Sequence, residues 1–266
     1  MRDIVIHTEA DFAAMRLAGN LAAAALDMIG EHVGEGVTTA ELDRICHEFV
    51  VANGGIPASL GYMGYNHATC ISVNEEVCHG IPGSRTLSAG DILNIDLAVI
   101  VDGWHGDTSR MYAVGKISSQ AMRLIKTTYD AMMAGINLIR PGARLGEVGW
   151  AMEKCARSAQ FTVVRDFCGH GVGRVYHAAP DVLNYGRPGR GAILRPGMFL
   201  TVEPILNIGG DSVEILEDGW TAVTEDGGLS AQWEHTVAVT ETGFEIFTLS
   251  AWEKRAAPSQ TSQAVR

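Results

Sequence analysis

The sequence predicts an α+β fold assembled from two copies of one unit, on three observations. The periodicity runs helix, helix, strands, and then helix, helix, strands again along the 266 residues. Residues also recur at a nearly constant offset. Gly36 and Glu41 return as Gly142 and Glu147, an offset of 106, and Leu87, Gly90, Leu93 and Asp96 return as Leu194, Gly197, Leu200 and Glu203, an offset of 107. Finally, the last pair of that series is acidic on an otherwise apolar strand.

Each element has its own signal. Over residues 8–33 the apolar positions Phe12, Met15, Leu17, Leu21, Ala25, Met28 and Ile29 keep helical spacing, with Thr8 and Asp11 as cap candidates. A second helix begins at Thr38, where a hydroxyl precedes Glu41 in capping-box style, and stops at Gly54-Gly55. Strands are expected over 68–73, 91–101 and 106–114. Two more helices, 118–138 and 144–160, are separated by Pro141-Gly142. Strands resume over 161–165, 198–206, 213–216, 221–224, 233–240 and 244–247. Residues 1–250 are expected to form one catalytic domain of two pseudo-symmetric halves, and 251–266 a flexible tail.

Composition excludes several classes. A chain that is 47% hydrophobic and 19% charged is too apolar for intrinsic disorder. Its net charge of −11 repels phosphate backbones, so no nucleic acid binding of its own is expected. Asp3 and Glu9 interrupt any secretory core, and no apolar run is expected to reach the ~18 residues of a membrane span. Five cysteines with no C-x-x-C pair argue against a disulfide framework or a zinc knuckle, and a reducing cytoplasm is the simplest compartment.

The chemistry lies in acids on apolar strands. Asp96 interrupts Leu93-Asn-Ile-Asp-Leu-Ala-Val-Ile-Val101, where a lone carboxylate costs several kcal/mol unless it meets a cation. Asp107, Glu203 and Glu234 repeat the anomaly, and Arg110 is the one arginine on those segments. A metal cluster neutralises four such acids most economically, and oxygen-rich ligation favours two hard or borderline divalent ions. His79, His170 and His177, flanked by glycines or strand breakers, complete the candidate site.

These motifs carry a family resemblance. The stretch Phe167-Cys-Gly-His170-Gly-Val-Gly-Arg-Val-Tyr176-His177-Ala-Ala-Pro-Asp-Val-Leu-Asn184-Tyr185 resembles the long signature of the type I methionine aminopeptidases of bacteria. Val73-Asn74-Glu-Glu-Val-Cys78-His79-Gly-Ile-Pro, Asn94-Ile-Asp96, Gly106-Asp107-Thr108, Val202-Glu203-Pro204 and Gln232-Trp-Glu234-His235-Thr are similar to its other motifs. The resemblance covers residues 8–248. It implies the pita-bread fold, a pseudo-two-fold curved antiparallel β-sheet with helices on its outer face.

It also implies roles. Asp96 would bind one metal, His170 and Glu203 the other, and Asp107 with Glu234 would bridge both. The ions, Co, Mn, Fe(II) or Zn, would acidify a water for attack on the first peptide carbonyl, with Glu203 shuttling its proton. His177 would stabilise the oxyanion and His79 contact the scissile amide, while the free amine binds beside Asp96. Tyr62, Tyr65, Cys70, Tyr176 and Trp220 would line the methionine pocket, and Asn74 and Ser230 would help hold a structural monovalent cation. The chain departs from the family at Ser59, where relatives often carry Cys, at Asn66-His67-Ala68 and at Ala178-Ala179, positions that bear on the residue after the methionine. The implied substrates are nascent chains with a small second residue, with transient ribosome contact and a monomeric enzyme.

Three rivals share the fold, and one of them, a catalytically silent binding module, would be expected to have lost ligands, whereas Asp96, Asp107, His170, Glu203 and Glu234 are all present. Proline-specific relatives usually carry a large N-terminal domain, whereas here the first helix begins near Thr8. A creatinase-like enzyme would not need the Tyr62 and Cys70 pocket.

Overall fold

A computed structural model describes residues 3–251 and residue 253. Its helices are α1 (Glu9–Ile29), α2 (Thr39–Ala52), α3 (Ser119–Ile136) and α4 (Leu145–Ser158). The strands of the first half of the chain are β1 (Ile56–Pro57), β2 (Cys70–Val73), β3 (Glu76–Cys78), β4 (Ile92–Val101) and β5 (Trp104–Ala113). Those of the second half are β6 (Thr162–Val163), β7 (Gly169–Gly171), β8 (Ala178–Val182), β9 (Phe199–Val202), β10 (Ile205–Asn207), β11 (Val213–Ile215), β12 (Ala222–Thr224), β13 (Ser230–Gln232), β14 (Glu234–Val239) and β15 (Phe244–Ile246). The main sheet runs β1-β4-β5-β14-β9-β7-β8, with β2 on β4 and β15 on β14, and every one of these pairs is antiparallel. It is the curved α+β arrangement of the pita-bread fold.

Each helix pair covers the strands of its own half. Leu26 and Ile29 of α1 and Leu42 and Val50 of α2 pack with Ile71, Ile95 and Leu97 in one cluster. Leu124 and Met132 of α3 and Val148 and Met152 of α4 pack with Leu200, Leu206 and Val237 in another. Burying such side chains stabilises the fold by about 1.5–3 kcal/mol each. The repeat read from the sequence reappears in the backbone bonds. Gly36 N donates to Leu87 O and Gly142 N to Leu194 O, both at 2.9 Å, while Leu87 N to Val37 O and Leu194 N to Ala143 O are both 2.8 Å. Gly36 and Gly142 supply the positive φ, 87° and 85°, that this turn requires.

Several boundaries differ from expectation. The first helix ends at Ile29, with Gly30 as its cap, rather than near residue 33. The strand expected over 198–206 is broken between β9 and β10 because Pro204 has no N–H to give the ladder. By length and composition α1 could span a membrane, its best 18-residue window having a mean hydropathy of 1.3, contrary to the expectation that no stretch would. Half of that window is buried, however, and its apolar face lies on β4 and β5, which makes it a core helix. Of the stretch read as a tail, residues 252 and 254–266 lie outside the described residues. Ala251 and Glu253 are tied to the fold by hydrogen bonds.

α1 approaches β5 so closely that only glycine fits between them. A Cβ on Gly106 would sit 2.4 Å from Ala18 C and 2.6 Å from Gly19 N. Gly106→Ala is therefore expected to lower unfolding stability by about 1–3 kcal/mol, as overpacking does. A urea midpoint equal to the parent's would contradict this packing.

Candidate active site

The antiparallel register collects the acids. On the β4–β5 hairpin Ala98 faces Asp107 and Asp96 faces Ser109, so both carboxylates fall on one stretch of one face. β14 then sets Glu234 opposite Ser109, and His235 opposite Val202, the residue before Glu203. His170 enters from the middle of β7, where a Cβ on Gly169 would lie 2.4 Å from Thr201 O, so glycine lets this strand close on β9.

Asp96, Asp107, His170, Glu203 and Glu234 line one cavity of about 470 Å³. His79, His177, Tyr62, Tyr65, Cys70, Tyr176 and Trp220 line the same cavity, so every residue singled out for catalysis or substrate binding is brought together there. A larger groove of about 740 Å³, along Trp150 to Arg187 on α4 and its neighbours, contains none of them.

The cluster fits divalent cations by its own chemistry. Possible ligand atoms of Asp107, His170 and Glu234 all lie within 4.8 Å of one another. His170 Nδ1 donates to Gly171 O at 3.0 Å, which leaves the Nε2 lone pair facing Asp107 Oδ2 at 3.5 Å and Glu203 Oε1 at 3.7 Å. Burial lowers the pKa of this imidazole to about 4, keeping it a neutral ligand. Burial lifts Asp96 to about 7, and lifts Glu203 to about 8 against the pull of the Thr201 bond. Asp107 is raised far above the carboxylate range by burial and by the charges of Asp96 and Glu203, and Glu234 by burial and by Asp107 and Glu203. Arg110 offers no relief, because it points to the other face and binds Asp27 Oδ1 at 2.8 Å. No lysine or arginine lines the cavity among the described residues. Carboxylates so placed call for multivalent cations.

Uncharged residues hold the acids, and the sequence reading passed over them. Thr201 Oγ1 donates to Glu203 Oε1 at 2.6 Å and accepts from His170 N at 2.9 Å. Gln232 Nε2 donates to the other oxygen of Glu203 at 3.3 Å, and Asn94 Nδ2 reaches Ser109 Oγ and Gln232 O. The signal was present: Asn94, Thr201 and Gln232 each stand two positions before an acid, where strand alternation returns a side chain to the same face.

The remaining walls are aromatic. Tyr62 packs edge-on to Tyr176 with centroids 5.0 Å apart, and Tyr65 edge-on to Trp220 at 5.0 Å. Tyr65 OH lies 2.9 Å from Thr69 O and 3.0 Å from Gly80 O, which fixes that wall. At the mouth, Tyr62 OH lies 2.9 Å from His177 Nδ1. His79 holds a left-handed φ of 57°, a strain that a non-glycine residue keeps only where its surroundings enforce it. Gly80 beside it passes so near β2 that a Cβ would lie 2.3 Å from Ile71 O.

A family model described as metallopeptidase family M24 matches residues 13–241. Methionine aminopeptidase of Rickettsia prowazekii is 54% identical over 248 residues, covering 93% of this chain and 96% of that protein. The Escherichia coli K12 methionine aminopeptidase is 47% identical over 248 residues, covering 92% and 94%. The crystal structure of the Rickettsia prowazekii enzyme superposes with a TM-score of 0.92 over 93% of this chain and all of its own. Prolidase from Pyrococcus furiosus shares the fold at 20% identity and a TM-score of 0.74, with 65% of its chain covered.

Proposed function

Since the chain belongs to metallopeptidase family M24, among the type I methionine aminopeptidases, we propose that it removes the N-terminal methionine from nascent proteins and peptides whose second residue is small. The observation that carries this reading is the cluster of buried acids and His170 in an aromatic-walled cavity that no lysine or arginine lines among the described residues.

Asp96 would hold one divalent ion, His170 and Glu203 a second, and Asp107 and Glu234 both. Co, Mn, Fe(II) and Zn all suit this donor set. Divalent ions held there supply Lewis acidity, lowering the pKa of water and polarising a carbonyl. The chain's own groups then divide the work. Glu203, held at both oxygens by Thr201 and Gln232, takes the proton of the attacking water and returns it to the leaving amine. A hydroxyl hydrogen given by Tyr62 to His177 Nδ1 leaves the ring hydrogen on Nε2, the donor an oxyanion needs. His79 contacts the scissile amide. The methionine side chain fills the space between Tyr62, Tyr65, Cys70, Tyr176 and Trp220, and the free amine lies at the Asp96 end. Binding of the free amine beside Asp96 would account for an aminopeptidase rather than an endopeptidase.

A structural monovalent cation is proposed beside Ser230, whose buried hydroxyl lacks a hydrogen-bond partner. Asn74 would contribute there through its backbone, since its side chain is committed to Asp91 and Ile92. The reading further treats 1–250 as one catalytic unit acting as a monomer in the cytoplasm on chains emerging from the ribosome.

Incubation of the metal-loaded protein with Met-Gly-Met, Ala-Pro-Ala and creatine, followed by mass spectrometry, is expected to release methionine from the first and leave the others intact. Cleavage of the proline peptide alone would overturn the proposal. So would no cleavage with metal confirmed bound.

A further inference from the structure

Residues 248–251 and Glu253, the last described, are tied to the strands that carry the acids. His235 follows Glu234 on β14 and lies between Thr108 of β5 and Val202 of β9, the residues next to Asp107 and Glu203. Glu234 lines the cavity, whereas His235 faces away from it and is 2% exposed. Its Nε2 lies 3.0 Å from Glu253 Oε1, and its Nδ1 lies 2.9 Å from Thr248 Oγ1.

The partners are themselves held. Thr248 Oγ1 accepts from Thr236 N at 3.1 Å, and Glu253 Oε2 accepts from Ser250 N at 3.0 Å. Ala251 N donates to Asp27 Oδ2, whose other oxygen receives Arg110 of β5. Burial works to raise the pKa of Glu253, but the bonds from His235 and Ser250 N outweigh it and hold the group at about 2, an acceptor only. Both ring nitrogens of His235 are therefore anchored, Nε2 by the Glu253 carboxylate and Nδ1 by the Thr248 hydroxyl.

We propose that Glu253 is a positioning residue for the metal centre: through His235 it holds the crossing of β5, β14 and β9 in the arrangement that gathers Asp107, Glu234 and Glu203. The inference rests on the metal-dependent reading above. It assigns a role to a residue beyond position 241, where the family match ends. Outlying hydrogen bonds that orient ligands ordinarily set affinity as well as geometry.

The test uses full-length, metal-free parent, E253A and E253Q. Each is titrated with Mn²⁺ by calorimetry, loaded with Co²⁺ for its visible spectrum, and melted. E253A is expected to bind Mn²⁺ about 10–100-fold more weakly and to shift the Co²⁺ bands. E253Q, whose amide oxygen still accepts from His235, is expected to recover most of that affinity. E253A with parental Mn²⁺ affinity and Co²⁺ spectrum would overturn the proposal, whatever its melting temperature, because a purely structural pair changes only the latter. Should E253A fail to fold, T248V, which frees His235 Nδ1, reads the same quantities: weakened Mn²⁺ binding supports the proposal and parental binding overturns it. A parent that binds no divalent ion overturns the metal reading and this inference with it. A parent that binds normally beside an unaltered E253A overturns this inference alone.

Discussion

Asp107→Asn is expected to lower kcat/KM for Met-Gly-Met by about 10³-fold or more, a loss of ~4 kcal/mol of transition-state stabilisation. Asp107 is 3% exposed, stands within 3.5 Å of His170 Nε2, and shares possible ligand positions with Glu234. Asn keeps the shape but removes the charge that would bridge two ions, so metal content should fall along with activity. The same change should stabilise the metal-free protein near neutral pH, because it removes a carboxyl that burial and the charges of Asp96 and Glu203 force to take up a proton on folding. Metal analysis, steady-state kinetics and melting of chelated samples check the three parts. Full activity at parental metal content would rule out a bridging role.

Removal of metal is expected to make stability fall as pH rises from about 5.5 to 8. In the metal-free fold Glu203 titrates at about 8 and Asp96 at about 7, both raised chiefly by burial, while in the unfolded chain both fall in the ordinary carboxylate range near 4. Between those limits the folded state binds more protons than the unfolded state, so stability falls as pH rises. Chelated protein should therefore melt about 5 °C or more lower at pH 8 than at pH 5.5, and divalent ions should abolish most of the difference. General charge repulsion in a chain of net charge −11 affects both samples, so the contrast between them isolates the cluster. A chelated protein that melts higher at pH 8 would contradict the electrostatics described for the site.

Much of this site was legible because buried charge is costly. An acid amid Leu93, Ile95 and Leu97 demands a partner, and four such acids with one arginine leave few solutions short of a metal. The repeat was legible because glycine answers a backbone need, and Gly36 and Gly142 make the same bond at the same length. Neutral residues were harder to read. Thr201 and Gln232 carry no anomaly of composition, and only their spacing from Glu203 and Glu234 betrays them. β7 and β8 escaped notice because Gly169, Gly171 and Pro180 are poor strand formers, and the pairing there follows from close approach to β9 rather than propensity. Glu253 escaped for a different reason: nothing local to residues 248–253 announces a buried histidine on β14.

The bond from Asn94 Nδ2 to Gln232 O joins residues 138 positions apart, and the acids it stands beside are equally dispersed. Contacts of such long range require the intervening chain to be made and its loops to be closed. High-affinity metal binding then becomes a report of completed folding, since no early fragment of the chain holds the full donor set. During its own synthesis the protein would therefore gain no complete metal site until β14 has left the ribosome and joined β5 and β9.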